Sequence, residues 1–410
     1  MTTIIDPVEP DLGTQPLAPA PQRTFTPRVE SEALPVAGLR RLGGMSGADA
    51  LNIIGALVSA LCTSLLLFGR IAPLSGGLGF VIVTYVEFLA AYALMLSFTE
   101  SRPVVVDRIM SVVLMTAFGI AFLALSSVIF FVLFKGWAAL HHLNFYTQDM
   151  ANAGPNDPLT VGGIKHAIVG SLIIISIALV ITLPLGIACA VFLTETQSKL
   201  ARPVRTIVDA MTALPSIIAG LFIFATWILI FGFERSGFAA GIATSIMMLP
   251  IIIRASDVVL RLVPGNLREA SAALGAPTWR TVWHVVLPTA RPGLATAVIL
   301  GVARGIGETA PVLLTSGVTA SLNYDPVKNP MMSLPLAAFE FIRSPQDTMH
   351  ARAYGTAAVL LTLVLGLFTI ARILGGRPAG QITPRQARRR AERSKRDVAR
   401  FDAIERVRVS

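Results

Sequence analysis

VPGNLREASAALGAPTWRTVWHVVLPTARPG, residues 263 to 293, lies between two long apolar runs and is too long and too patterned to be a plain connector. Asn266 is placed to cap a first helix with Glu269 three residues on, and Gly275 suits the left-handed position that ends it. Pro277 then starts a second helix, in which Trp279, Val282, Trp283, Val286 and Leu287 fall at helical spacing on one apolar face that Pro288 closes. Helix, glycine bend and amphipathic helix predict a compact knob at the inner surface of a membrane. The same pattern fits an interfacial helix whose tryptophans sit at headgroup depth.

Composition supplies the membrane. Of 410 residues, 54% are hydrophobic and 14% charged, the balance of a multispanning protein whose core is built against lipid. The formal net charge of +10 is concentrated at one end, where residues 371 to 410 hold twelve Arg or Lys against four acids. A basic block beside a span is a retention charge, which argues against a nucleic-acid site. Cys62 and Cys189 lie in apolar stretches and point to neither a disulfide framework nor a metal centre. The first fifty residues carry seven prolines and no apolar run, which predicts a disordered tail over 1–50 and an uncleaved first span.

Apolar runs of spanning length occur at about 51–69, 78–98, 109–134, 167–194, 207–231, 236–253, 294–317 and 353–374, eight in all. The fifth and sixth are separated only by GFERS, so they read as a tight hairpin or as one interrupted span. Arg254, Arg261, Arg268, Arg280 and Arg291 in the segment 254–293, with Lys199, Arg202 and Arg205 two spans earlier, mark cytoplasmic loops. Alternation then puts both termini, including the basic tail 375–410, in the cytoplasm and the loops 135–166 and 318–352 outside. Pro184, Pro215, Pro250 and Pro311 fall one in each of spans four to seven, and the other four spans have none. Lipid cannot replace a lost backbone hydrogen bond, so these four are expected to be interrupted and to surround a pathway at the centre. The alternative is that proline is simply common in membrane helices.

EASAALG, nine residues and VVLP resembles the EAA loop of ABC-importer permeases at Glu269, Ala270, Gly275, Val285, Leu287 and Pro288, with Ser271 in place of the third motif residue. The resemblance implies that residues 266–276 form a coupling helix seated in a groove of a cytosolic ATPase. TVGGIKHAIVGSLIII (160–175), DAMTALPSIIAGLFIF (209–224), ARGIGETAPVLLTS (303–316) and LPLAAFEFIRSP (334–345) narrow the family. Together they look like the PstA-type permease of the bacterial phosphate-specific importer, over about residues 107–374. That resemblance implies an all-α integral membrane protein with the type I ABC-importer permease fold: a six-helix core (107–374) plus two extra N-terminal transmembrane helices (51–106). It also implies a bacterial inner-membrane location, a PstC-like sister permease, a PstB-like ATPase dimer that uses ATP and Mg, and a PstS-like phosphate-binding lipoprotein on the outer loops. Two other readings remain: a permease for another oxyanion or small solute, and a non-transporting membrane phosphate sensor or scaffold.

The sequence has no Gly-x4-Gly-Lys-Ser/Thr phosphate loop, no nucleophile elbow and no HExxH pair, so it is expected to be a permease and not an enzyme, binding no cofactor or metal itself. In LGVARGIGETAPVLL (300–314), Arg304 and Glu308 stand one turn apart, roughly 15 Å into the membrane if the helix starts at Leu294. An unpaired charge at that depth costs about 2.5–3.5 kcal/mol, and a partner at i+4 reduces the cost. Gly301 and Gly305 allow another helix close, while Pro311 leaves the Gly307 carbonyl without its usual donor. Arg304, Glu308, Thr309 and Pro311 are therefore the candidate translocation and gating residues, with an ion pair that merely fixes helix packing as the alternative. Glu87 stands alone in span two, with no visible partner in its own helix.

Overall fold

The computed structural model describes residues 47–71, 76–196, 198–376, 388–389, 391–394 and 396–398, and every regular element among them is helical. The tails expected to be disordered (1–50) and basic (375–410) lie mostly outside the described residues; where they are described, 47–50 already belong to the first helix and Gly375 ends the last long one. Among the described residues, seven helices are long and apolar enough to cross a membrane, or eight if one bent pair counts as a single span. Large apolar side chains face outward along them, such as Leu114 at 68%, Ile120 at 70% and Phe130 at 70% exposure. In water each would forgo about 1.5–3 kcal/mol of burial; lipid removes that cost.

The chain divides at Gly119 and Ile120 into two compact units. The first contains α1 (Gly47–Leu66), which ends in a π-helical turn to Ile71, α2 (Gly77–Ser97), and the start of α3 (Arg102–Leu140). Ala56, Ala60, Phe88, Tyr92 and Leu96 form its core, with Val105, Ile109 and Val112 of α3 packed against them. Glu87, without a partner in its own helix, gains one from α1: the fully buried Ser64 hydroxyl donates to its carboxylate at 2.7 Å. Arg108 pairs with Asp49 at 2.6 Å.

The second unit carries the rest of α3, α4 (Asn144–Thr147), α5 (Lys165–Glu195), α6 (Ala201–Thr212), α7 (Ser216–Ile223, prolonged by a π-helical stretch to Ile230), α8 (Gly237–Arg261), α9 (Gly265–Ala273), α10 (Thr278–Thr281), α11 (Leu287–Ile306), α12 (Ala310–Thr315), α13 (Leu334–Ile342) and α14 (Asp347–Gly375). Its spine is α5 against α8. Glycines bring the two backbones together: a Cβ on Gly186 would come within 2.7 Å of Ile252, and one on Gly241 within 2.6 Å of Ile177. The other flank of α8 receives α11, where Gly301 faces Ile252 and Gly305 faces Met248, the close approach expected of that glycine pair.

Three expectations are tested by these helices. First, span five is interrupted at Pro215, as expected. Residues 201–212 and 216–230 are bent by 103° to each other, with Pro215 as the N-cap of the second piece. The first piece is amphipathic and turns its charges to α8, where Asp209 meets Arg254 at 2.6 Å, so it has no reason to enter lipid. Second, Pro184 and Pro250 do not interrupt their spans, because α5 and α8 run through them. One proline removes one ladder bond and bends a helix, and the tight contact between these two helices holds both sides of the bend. Only Pro215 and Pro311 lie at breaks. Third, Pro288 does not close the second loop helix. A π-helical turn over Val282–Val286 precedes it, the Leu287 amide bonds to the Val282 carbonyl, and the helix continues as α11. The wider turn accommodates a residue that has no amide to donate.

Candidate functional site

At the end of the bundle where α5 and α8 finish, the segment 262–287 folds into a short helix, a glycine bend and a second helix. Gly275 has φ of +76°, the left-handed conformation a Cβ disfavours, as its place in the motif predicts. The start of α9 differs from expectation. Pro264 is its N-cap, no side chain caps it, and Asn266 lies inside the helix. Ser271, the residue departing from the motif, lies 2.8 Å oxygen to oxygen from Thr281 and ties the two helices together. Glu269, Ala270 and Gly275 are exposed, as are Pro288 and Leu274, the latter at 88%, while Leu287 is half-buried.

The apolar stripe proposed for the second helix splits in two. Val282 and Val286 are buried beneath it, whereas Trp279 and Trp283 are 60% and 66% exposed. A helix running on into a span needs its valines for the bundle, and the tryptophans are left on the open face, which fits the headgroup alternative as well as a docking surface. One residue missed by the sequence reading stands out. Arg268 reaches back from α9 to Glu195 at 2.8 Å and to the carbonyls of Leu260 and Val263.

In mid-bundle, α11 ends at Ile306 and the chain stays irregular until Ala310. Arg304 and Glu308 are in ionic contact across that break, but the two are placed differently: the Arg304 side chain is 50% exposed and Glu308 only 5%. The carboxylate abuts a cavity of about 10 Å³ lined by Ser171, Gly305 and Ser333 among others, room for one water at most. Thr309 is the N-cap of α12, and Pro311 is buried with its Cα 2.6 Å from where a Gly220 Cβ would be. The two broken spans therefore meet at Gly220 and Pro311.

At the opposite end, the loops around α4 and α13 form a folded cap. Met150 donates to the Ala320 carbonyl at 3.0 Å, and the Leu322 amide donates to Asp149 at 3.0 Å. Beneath them lies Arg352, 1% exposed, which donates to the carbonyls of Asp157, Pro158 and Val161 at 3.3, 3.0 and 2.9 Å. The four stretches that carried the resemblance pair off in space: 209–224 touches 303–316 at Gly220 and Pro311, and 160–175 touches 334–345 where the Leu334 amide donates to Ser171 at 2.7 Å. Among the described residues no cluster of three or more His, Cys, Asp or Glu is arranged to hold a metal.

Residues 182–377 match the family of binding-protein-dependent transport system inner membrane components. The phosphate transport system permease protein PstA 1 of Mycobacterium tuberculosis (strain CDC 1551 / Oshkosh) is 38% identical over 250 residues, covering 61% of this chain and 82% of that protein. The chain belongs to the PstA family of permeases. PstA of Mycobacterium leprae is 38% identical over 272 residues, 65% of this chain and 89% of the relative. PstA of Pasteurella multocida is 35% identical over 248 residues, 60% and 86% respectively. Among solved structures, an inward-facing form of the MetNI methionine ABC transporter covers 52% of this chain and 91% of its own, at 23% identity and a TM-score of 0.39. The family is one of multi-pass transport permeases, and the all-helical bundle is its membrane component.

Proposed function

We infer that this chain is the permease subunit of an ATP-driven phosphate importer, forming the pathway with a second permease of the PstC kind. The observation that carries this is the 38% identity to a phosphate transport permease over the core of the chain. The half-exposed Arg304 supports the second permease. A charge facing lipid at mid-membrane would cost about 2.5–3.5 kcal/mol, so its open half needs protein or water beside it. The buried Glu308 fixes one side of the guanidinium and leaves the other to a partner or an anion.

ATP and Mg act on a separate PstB-like dimer, for which the exposed facet of Glu269, Ala270 and Leu274 is the seat. A PstS-like lipoprotein delivers phosphate to the cap built from 141–164 and 316–346. With the arginine-rich loop facing the cytoplasm, the protein sits in the bacterial inner membrane with both termini inside. Labelled-phosphate uptake in vesicles holding all four components tests the reading. ATP-dependent accumulation supports it, and a complex that binds phosphate without moving it would favour a sensor.

A further inference from the structure

Helix α9 hangs from the bundle by two connections, and both contain glycine. Gly265 begins it with open space where a Cβ would stand, and Gly275 follows its last turn with a positive φ and open space likewise. Connections of that kind let a nine-residue helix swivel, and a swivelling helix cannot pass a movement on. Beyond the single Ser271–Thr281 hydroxyl contact, something must hold α9 to the spans for a push on it to count.

Arg268, in the second half of the first turn of α9, meets that need with all three guanidinium nitrogens. Nε and Nη2 donate to Glu195 Oε1 at 3.2 and 2.8 Å, Nη1 to the Val263 carbonyl at 2.8 Å, and Nη2 also to the Leu260 carbonyl at 2.9 Å. Glu195 is the last residue of α5, and Leu260 and Val263 flank the end of α8. The Leu260 carbonyl at the end of α8 accepts the Val263 amide at 3.3 Å, and Arg268 adds a second, charged donor from a different element. A carboxylate at the C-terminal end of α5 opposes the helix dipole, and it is tolerated there because the guanidinium faces it. The pair is largely shielded, with 27% of the Arg268 and 11% of the Glu195 side chain exposed. A shielded ion pair adds little net stability; what it supplies is a fixed geometry.

We propose that Arg268 is the positioning residue that makes α9, α5 and α8 move as one, so that displacement of α9 reaches the spine of the bundle. The route continues through the glycine contacts of α8 with α11 to the break beside Glu308. This rests on the reading of α9 as the ATPase seat.

The test uses the complete importer with phosphate-loaded binding protein. Arg268→Gln is expected to leave ATPase co-purification and basal ATP hydrolysis intact, and to lower the phosphate-stimulated part about tenfold. Glu195→Ala, on a different helix, should do the same, and the double variant should be no worse than either single one. Arg268→Lys, which keeps the charge without the fork, should fall between. Loss of ATPase binding, equal loss of basal and stimulated rates, or a Lys variant equal to the unaltered protein would overturn the clamp. A second measurement needs no phosphate. With Cys62 and Cys189 replaced by alanine, nitroxides at positions 196 and 273 should report a distance distribution about twofold broader in Arg268→Gln than in the parent. Equal widths would overturn the proposal, whereas a parent complex that phosphate does not stimulate would instead count against the transport reading.

Discussion

The two ends of the second unit use their polar residues in opposite ways. At the cap, polar groups are spent inward: Arg352 is 1% exposed, with Nη2 donating to three loop carbonyls and Nη1 facing the Met349 sulfur. At the loop end, Glu269 and Ala270 face outward with Leu274, Trp279 and Trp283, while Arg268 turns back to the bundle. A surface that must keep its shape while a partner comes and goes is best built from buried, satisfied bonds. A surface that must be held by a partner leaves its contacts open.

That contrast can be broken from either side. The largest effect is expected from Arg352→Ala, which removes a fully buried side chain and its bonds to three loop carbonyls and should cost about 3 kcal/mol or more. Faster proteolysis within 148–164 and loss of complex assembly would show it; an undisturbed cap would mean that the buried network is dispensable. Gly275→Val should spare stability of the bundle, since nothing lies within 4 Å of that position, yet the strained bend should cut phosphate-stimulated ATP hydrolysis about tenfold. Normal stimulation would show that the orientation of the loop helix does not matter.

Two milder substitutions sharpen the comparison. Glu308→Gln keeps the shape of a buried side chain but removes the charge facing Arg304, and uptake should fall about fivefold with assembly unchanged. Unchanged uptake would return the pair to a packing role. Ser271→Ala loses a single hydroxyl contact with Thr281 worth about 1 kcal/mol, and stimulated hydrolysis should drop less than about twofold.

Much of this was legible in the sequence because it depends on side-chain type. Apolar length gave the spans, Gly275 gave the bend, and Gly301 with Gly305 gave the close helix contact. What was not legible depends on backbone. Arg352 and Arg268 act on carbonyls, which every residue type offers, so no pattern marks their partners. Pro215 marked the break in span five but not its 103° angle, for a related reason: hydropathy over 207–231 is continuous, and the ion pair of Asp209 with Arg254 joins residues 45 apart. Pro184 and Pro250 misled in the other direction, because a proline shows a missing bond but not whether a neighbouring helix holds the bend.

The most direct test of the account is uptake of labelled phosphate into vesicles containing this chain, its sister permease, the ATPase and the binding protein, with sulfate in excess. ATP-dependent accumulation that sulfate leaves unchanged is the predicted result. No accumulation, or sulfate competing as well as unlabelled phosphate, would contradict it.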